Sequence, residues 1–304
     1  MKTKKNIALI CSVAGICIFT CAAAANYRIS NGYDHLKTSI KNTREITNAT
    51  LKFTGELQAD NTALISADYL YKLDSANDIM YSRSEDTNFM EQANPAEPHI
   101  WESYRYNDKG YHLSSDDNGN PAYLVSNYSI VPPNLWGIDK QDNEIADKFI
   151  RFIETAADTV VGDLKNNFVC TKSTDEYTTY TITLDSVQIP EIINAGLSMV
   201  FSMAHNSIAT PLDENGTPLS LNSDTPEYYL MLLGDEPITE SVTLNYTVGN
   251  DDIANNADII ITFAGNGHTI TFKGNASLTD IGTTTIEPLD EEKVNIINFV
   301  PQQY

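Results

Sequence analysis

Asp258-Ile-Ile-Ile-Thr-Phe-Ala-Gly-Asn266-Gly267-His268-Thr-Ile-Thr-Phe-Lys-Gly-Asn-Ala-Ser-Leu278 decides the fold class of this chain. Asn266-Gly267 accepts positive φ at both positions, which a two-residue hairpin turn with the right twist requires. The flanks are rich in β-branched and aromatic residues, so the stretch predicts antiparallel strands over 258–264 and 268–278. Ser241–Val248 reads the same way just upstream.

A period of two recurs towards the N-terminus. Leu51, Phe53, Gly55 and Leu57 alternate with polar residues from Thr50 onward, as a half-buried strand does. Further strands are expected near 63–73, 79–83, 101–106, 111–114, 122–125 and 177–184. Turn-forming runs separate them, most plainly Asn107-Asp-Lys-Gly110 and Asp116-Asp-Asn-Gly-Asn120. The pattern is an antiparallel meander.

Three segments instead repeat at three or four residues. Asn31-Gly32-Tyr33 reads as a turn with Asp34 as helix N-cap, and Leu36, Ile40 and Thr43 share the face that follows. Between 141 and 166, Ile145, Phe149, Phe152, Ile153, Ala156, Val160 and Leu164 form an amphipathic stripe. Pro190 opens a third helix, to His205, at the position proline tolerates. Its Ile192, Ile193, Leu197, Met199, Val200, Phe201 and Met203 are apolar nearly all round, so it is either core or a lid over an apolar groove. Residues 227–233 read as a short helix after a polar loop. The fold class expected is α+β: a curved, half-barrel-like antiparallel sheet wrapped around two or three helices. Pro132-Pro133 interrupts the pattern. One continuous domain over 26–290 is expected, with two lobes, 31–131 and 139–290, as the alternative; 291–304 reads as a C-terminal tail.

The first 25 residues read as an export segment. Lys2, Lys4 and Lys5 precede an uncharged apolar run from Ile7 to Cys21, and Ala22–Ala25 follows. The run is either a cleaved signal peptide or an uncleaved membrane anchor. A lipoprotein signal at Cys21 is a third reading. In each case the rest of the chain faces outward, because the lysines stay inside. The expected location is therefore extracytoplasmic, secreted or anchored, with membrane contact only through this segment.

The remainder is acidic. The whole chain has a formal net charge of −22, with 41 Asp and Glu against 19 Lys and Arg, and the remainder is more acidic still because Lys2, Lys4 and Lys5 lie in the export segment. Phosphate backbones repel such a surface, so nucleic acid is not an expected partner. Of four cysteines only Cys170 lies outside the export segment, so no internal disulfide braces the domain; following Phe168-Val169, it reads as a buried small side chain.

No motif points to chemistry. His35, His99, His112, His205 and His268 show no zinc spacing, and no glycine-rich phosphate loop or nucleophile elbow occurs. Calcium-loop alignments at Gly119 and Gly216 lack the first and last ligands. No catalytic, metal or cofactor residue is expected. The tyrosines are more informative. Tyr69 and Tyr71 share one strand face, as do Tyr104 and Tyr106, and Trp101, Tyr111, Tyr123 and Tyr128 add to the set. They read either as core edge or as an amphipathic wall lining a groove. The candidate ligand-binding residues are Tyr69, Tyr71, Trp101, Tyr104, Tyr106, Met199 and Met203.

The order of elements, from Tyr33-Asp34-His35-Leu36-Lys37 through the meander and the Met-, Phe- and Ile-rich helices to the last strands, resembles the LolA-like half-barrel superfamily of lipoprotein carriers and its Gram-positive surface relatives. Gly265–Phe272, Leu278–Thr284 and Pro288-Leu-Asp290 also resemble C-terminal segments of exported Gram-positive proteins. The resemblance spans about 31–290. It implies a sheet around a helical lid with an apolar interior for acyl chains, and transfers no individual residue. The functional expectation is a non-enzymatic envelope protein that binds a lipid or other apolar ligand, or an envelope partner protein. The alternative is a membrane-proximal sensor or regulatory ectodomain acting through protein contacts.

Overall fold

Three residue pairs with positive φ turn the chain back on itself: Asp60-Asn61 (47° and 67°), Asn107-Asp108 (51° and 59°) and Asn266-Gly267 (50° and 81°). Each joins neighbouring antiparallel strands through two residues. Asn, Asp and Gly reach this conformation at least cost. The computed structural model describes residues 31–90, 98–116, 118–127, 130–135, 168–189, 194, 228–229, 232–234 and 237–298.

Among the described residues twelve strands form one sheet: β1 (Asn48–Ala59), β2 (Thr62–Asp74), β3 (Ile79–Asn88), β4 (His99–Tyr106), β5 (Lys109–Ser115), β6 (Pro121–Ser126), β7 (Val169–Ser173), β8 (Tyr177–Asp185), β9 (Ile238–Gly249), β10 (Ala254–Gly265), β11 (His268–Thr279) and β12 (Ile296–Asn298). Their order is β12-β6-β5-β4-β3-β2-β1-β11-β10-β9-β8-β7. β1 pairs with β11 from Thr50↔Thr279 to Ala59↔Ile270, which joins the early and late parts of the chain at mid-sheet. Only β12 runs parallel to its neighbour, β6. One helix, α1 (Asn31–Arg44), lies against β9 and β10. Leu36 buries itself in the core there, and Asn42 Nδ2 donates to Asp252 O at 3.2 Å.

Register sorts the side chains onto two faces, because successive residues of a strand point opposite ways. Face A carries Leu51, Phe53, Tyr69 and Tyr71; face B carries Thr50, Lys52, Leu70 and Lys72. The buried face changes along the sheet. From β8 to β11, face A is apolar: Tyr180, Ile182 and Leu184 sit opposite Tyr246, Leu244 and Val242, and Ile261 and Phe263 opposite Phe272 and Ile270. Face B of these strands carries Thr179, Thr181 and Thr183 opposite Thr247, Asn245 and Thr243. From β3 to β6 the apolar set is on face B. Tyr81, Tyr104, Tyr111 and Val125 stand in one cross-strand row, beside Ile79, Tyr106, Leu113 and Tyr123. Face A there carries Ser82, Ser84, Ser103 and His112.

The segment after β11 explains the change, because it crosses face B as a strap. Gly282 N donates to Asn48 O at 2.9 Å, and Thr284 N to Asn48 Oδ1 at 2.8 Å. Ile286, Leu289, Val294 and Ile296 then pack on the tyrosines. Tyr111 OH donates to Glu291 Oε1 at 2.6 Å, Tyr106 OH to Leu289 O at 3.4 Å, and Tyr123 N to Asn295 O at 2.8 Å. Tyr111 is 1% exposed; an aromatic side chain buried this fully contributes at most about 4–6 kcal/mol of transfer free energy.

These findings correct the expected fold class. The described residues form one open, two-edged sheet, not a half-barrel wrapped around two or three helices, and α1 is the only α-helix of several turns among them. A wrapped sheet needs one apolar face throughout, and here that face changes sides. The helix read over 141–166 lies outside the described residues, as does 190–205 apart from helical Asn194. The export segment also lies outside them. Among the described residues no helix is long and apolar enough to cross a membrane. Asp34 is not an N-cap, since α1 already includes Asn31: Asn31-Gly32 has turn propensity, but context makes it helical. Cys170 is exposed rather than buried, because β7 is an edge strand with every residue in solvent. Residues 296–298 are strand β12 rather than tail.

Candidate binding surface

Across β4, β3, β2 and β1, face A presents the row Trp101, Ser84, Tyr69 and Phe53, continuing to Ala276 and Ala257 on β11 and β10. Large rings alternate with small residues, and all three rings are half-buried. The next row holds Ala67, Gly55, Gly274 and Ile259. A Cβ on Gly55 would lie 3.0 Å from Phe53 Cε1, and one on Gly274 3.0 Å from Phe272 Cε1. The two glycines therefore let the phenyl rings lie low against the sheet. Phe53 and Phe272 are nearly parallel, at 17° and 6.5 Å between centroids. Tyr69 and Tyr71 stack at 6.2 Å and 16°.

Two covers bound this surface. Val131 and Leu135 pack on Tyr71, Leu73 and Met80 at one end, where Leu135 N donates to Ile46 O at 2.8 Å. Beyond β11, α1 covers β9 and β10 and is tied to the core by a 2.8 Å hydrogen bond between His35 Nδ1 and Tyr180 OH. Burial pushes the Tyr71 phenol above its ordinary pKa, and the nearby Arg105 guanidinium opposes the rise. Tyr71 therefore stays a neutral donor at physiological pH.

Five of the seven candidate residues fall within the described part, and the structure divides them. Tyr69, Tyr71 and Trp101 belong to face A. Tyr104 and Tyr106 belong to face B, under the strap: Tyr104 sits 4.8 Å from Tyr81, and Tyr106 stacks on Tyr111 at 4.9 Å and 14°. Burial first, then the Glu102 carboxylate, raises the Tyr104 and Tyr123 phenols; burial, then the hydrogen bond to Glu291, raises Tyr111. Tyr123 OH donates to Glu102 Oε1 at 2.6 Å. These phenols are structural donors. Met199, Met203 and Tyr128 lie outside the described residues.

Sequence reasoning missed Phe53, Gly55 and Gly274 as parts of one surface, with the buried Phe272 ring beneath it. Glycines inside two otherwise β-prone strands were the available signal. Among the described residues no group of three His, Cys, Asp or Glu could hold a metal ion. The surface offers rings, small side chains and few donors, which suits apolar contact rather than bond making.

No protein-family description matches the chain, and no curated protein matches it either. Among solved structures it is similar to LprF from Mycobacterium bovis, at 11% identity and a TM-score of 0.33, over 84% of this chain and 95% of that one. It is also similar to the LolA superfamily protein NE2245 from Nitrosomonas europaea, at 9% identity and a TM-score of 0.20, over 83% and 96%. The likeness to NE2245 carries the name of the superfamily that the order of elements resembles. At these TM-scores it assigns no residue, pocket or ligand in this chain.

Proposed function

We propose that this protein is a non-enzymatic, exported envelope protein that holds an apolar ligand, such as an acyl chain, against face A of its sheet. The observation that carries the reading is the half-buried row Phe53, Tyr69 and Trp101, with small residues between the rings. Rings that pack fully in a core lose nearly all exposure, as Phe272 does at 1%. A row left partly exposed retains apolar area that a ligand can remove from water, at about 25 cal/mol per Å². Native mass spectrometry of the purified chain tests it. A co-purifying lipid mass that is lost in Tyr69→Lys and kept in Thr181→Lys, on the opposite face, is expected; no bound mass in the parent, or equal retention in both variants, defeats the reading.

The export part rests on Lys2, Lys4 and Lys5 and the apolar run to Cys21. Protease shaving of intact cells should digest the domain; a protected, cytosolic domain contradicts it. A contact ectodomain is favoured by a different observation. All five residues of edge strand β7 are exposed, and an open strand edge can accept a partner strand.

A further inference from the structure

At the end of the sheet where β2 turns into β3, the strap stands off face B and leaves a cavity of about 310 Å³. Its floor is Ile79 and Tyr106, paired across β3 and β4. Ile286 and Pro288 of the strap form the opposite wall. Asp74 supplies the one formal charge in the lining, and no basic side chain among the described residues lines it. The cavity is separate from the face A surface and independent of it.

The carboxylate is built in. Asp74 is 7% exposed. Asn77 Nδ2 donates to its Oδ2 at 2.6 Å and Asn77 N to its Oδ1 at 3.4 Å, through the 3-10 turn Ser75–Asn77. The Asn77 side-chain bond, the largest cause, holds its pKa below the ordinary aspartate value. The Asn48 side chain and Ala76 N add weaker hydrogen bonds to the same carboxylate, which therefore stays an anion in the cavity wall. The ring of Tyr106 and the aliphatic walls sit beside the anion, an arrangement that suits a cation with an apolar body. The acidity of the whole chain adds a long-range attraction for cations.

The geometry points to a binding site for a small organic ammonium ion, its cationic head on Asp74 and its apolar body between Ile79, Tyr106 and the strap. A free amine and a protein lysine carry the same headgroup, so the test includes both.

The experiment is ligand-observed NMR titration of the full chain in a nonionic detergent. The probes are 2-phenylethylammonium, Nα-acetyl-lysinamide and the neutral 2-phenylethanol. Saturable binding of at least one ammonium probe, with none of the alcohol, is expected; the tighter ammonium names the source. Asp74→Asn should weaken binding about tenfold or more, the loss expected for a charge-assisted contact. Thr285→Lys should do the same by placing a competing ammonium at the mouth. Thr285 is exposed, so this variant decides the matter if Asp74→Asn fails to fold. Absence of saturable ammonium binding, equal binding of the alcohol, or undiminished binding by Thr285→Lys overturns the assignment.

Discussion

In β8 and β9 the threonines of face B meet water while the tyrosines of face A are buried: Tyr246 is 1% exposed, and Thr179 and Thr247 pair Oγ to Oγ at 3.0 Å on the other side. Across the sheet, in β4 and β5, face B is the buried one and Tyr111 is again 1% exposed. Both halves obey the same alternation and belong to one hydrogen-bonded sheet. What differs is the cover. α1 lies over face A of β9 and β10, whereas the 280–298 strap lies over face B of β3–β6. Alternation defines two candidate faces; a segment distant in sequence selects which one becomes core.

Removing the strap should break the comparison most severely. Deletion of 285–304 uncovers Tyr106, Tyr111 and Tyr123, so hydrogen exchange should become fast in β4–β6 while β8–β11 stays protected. Equal loss of protection in both halves would mean that the strap does not select the face. Next come the two buried anchors. Tyr111→Ala and Tyr246→Ala should each cost about 3–5 kcal/mol in denaturant unfolding. Their effects should add to within about 0.5 kcal/mol if the halves are independent; strong coupling would argue for a single shared core.

The contrast sharpens with Thr181→Ala on the solvated face B of β8. Thr181 Oγ donates to Asn245 Oδ1 at 2.6 Å, but both residues are only half-buried, so the change should stay within about 0.5 kcal/mol. A larger loss would place face B of that half in a core. The smallest effect concerns Asp60, at the β1–β2 turn. The hydrogen bond from His268, then that from Thr269 N, lowers its pKa below the ordinary value. A depressed carboxylate pKa contributes stability above the unfolded-state value and loses it as pH falls through the folded value. Asp60→Asn should therefore lower stability slightly at neutral pH and above, and the difference from the parent should vanish as pH falls through the acid limb; a difference that grows as pH falls would contradict the pairing.

Much of the sheet was legible in the sequence. The Asn266-Gly267 turn and the strand expected over 268–278 match β11 to within one residue, because turn chemistry and period two agree there. β7 was missed because Val169–Ser173 is exposed on both sides and has no alternation to read. β12 was missed because three residues pairing in parallel with β6 leave no local signature. The assignment of Tyr69 and Tyr104 to different faces was hidden for a deeper reason. Each pair lies correctly on one side of its own strand, but which side faces core depends on where residues 280–298 cross. The low-lying Phe53 and Phe272 rings depend in the same way on cross-strand partners, Gly55 and Gly274.

Photo-labelling with a diazirine-bearing fatty acid, mapped by peptide mass spectrometry, tests ligand position and face assignment together. Labels on Phe53, Tyr69 or Trp101 are predicted, with none on Tyr81, Tyr104 or Tyr123. Labels on those face B tyrosines, or no specific labelling at all, would contradict the account.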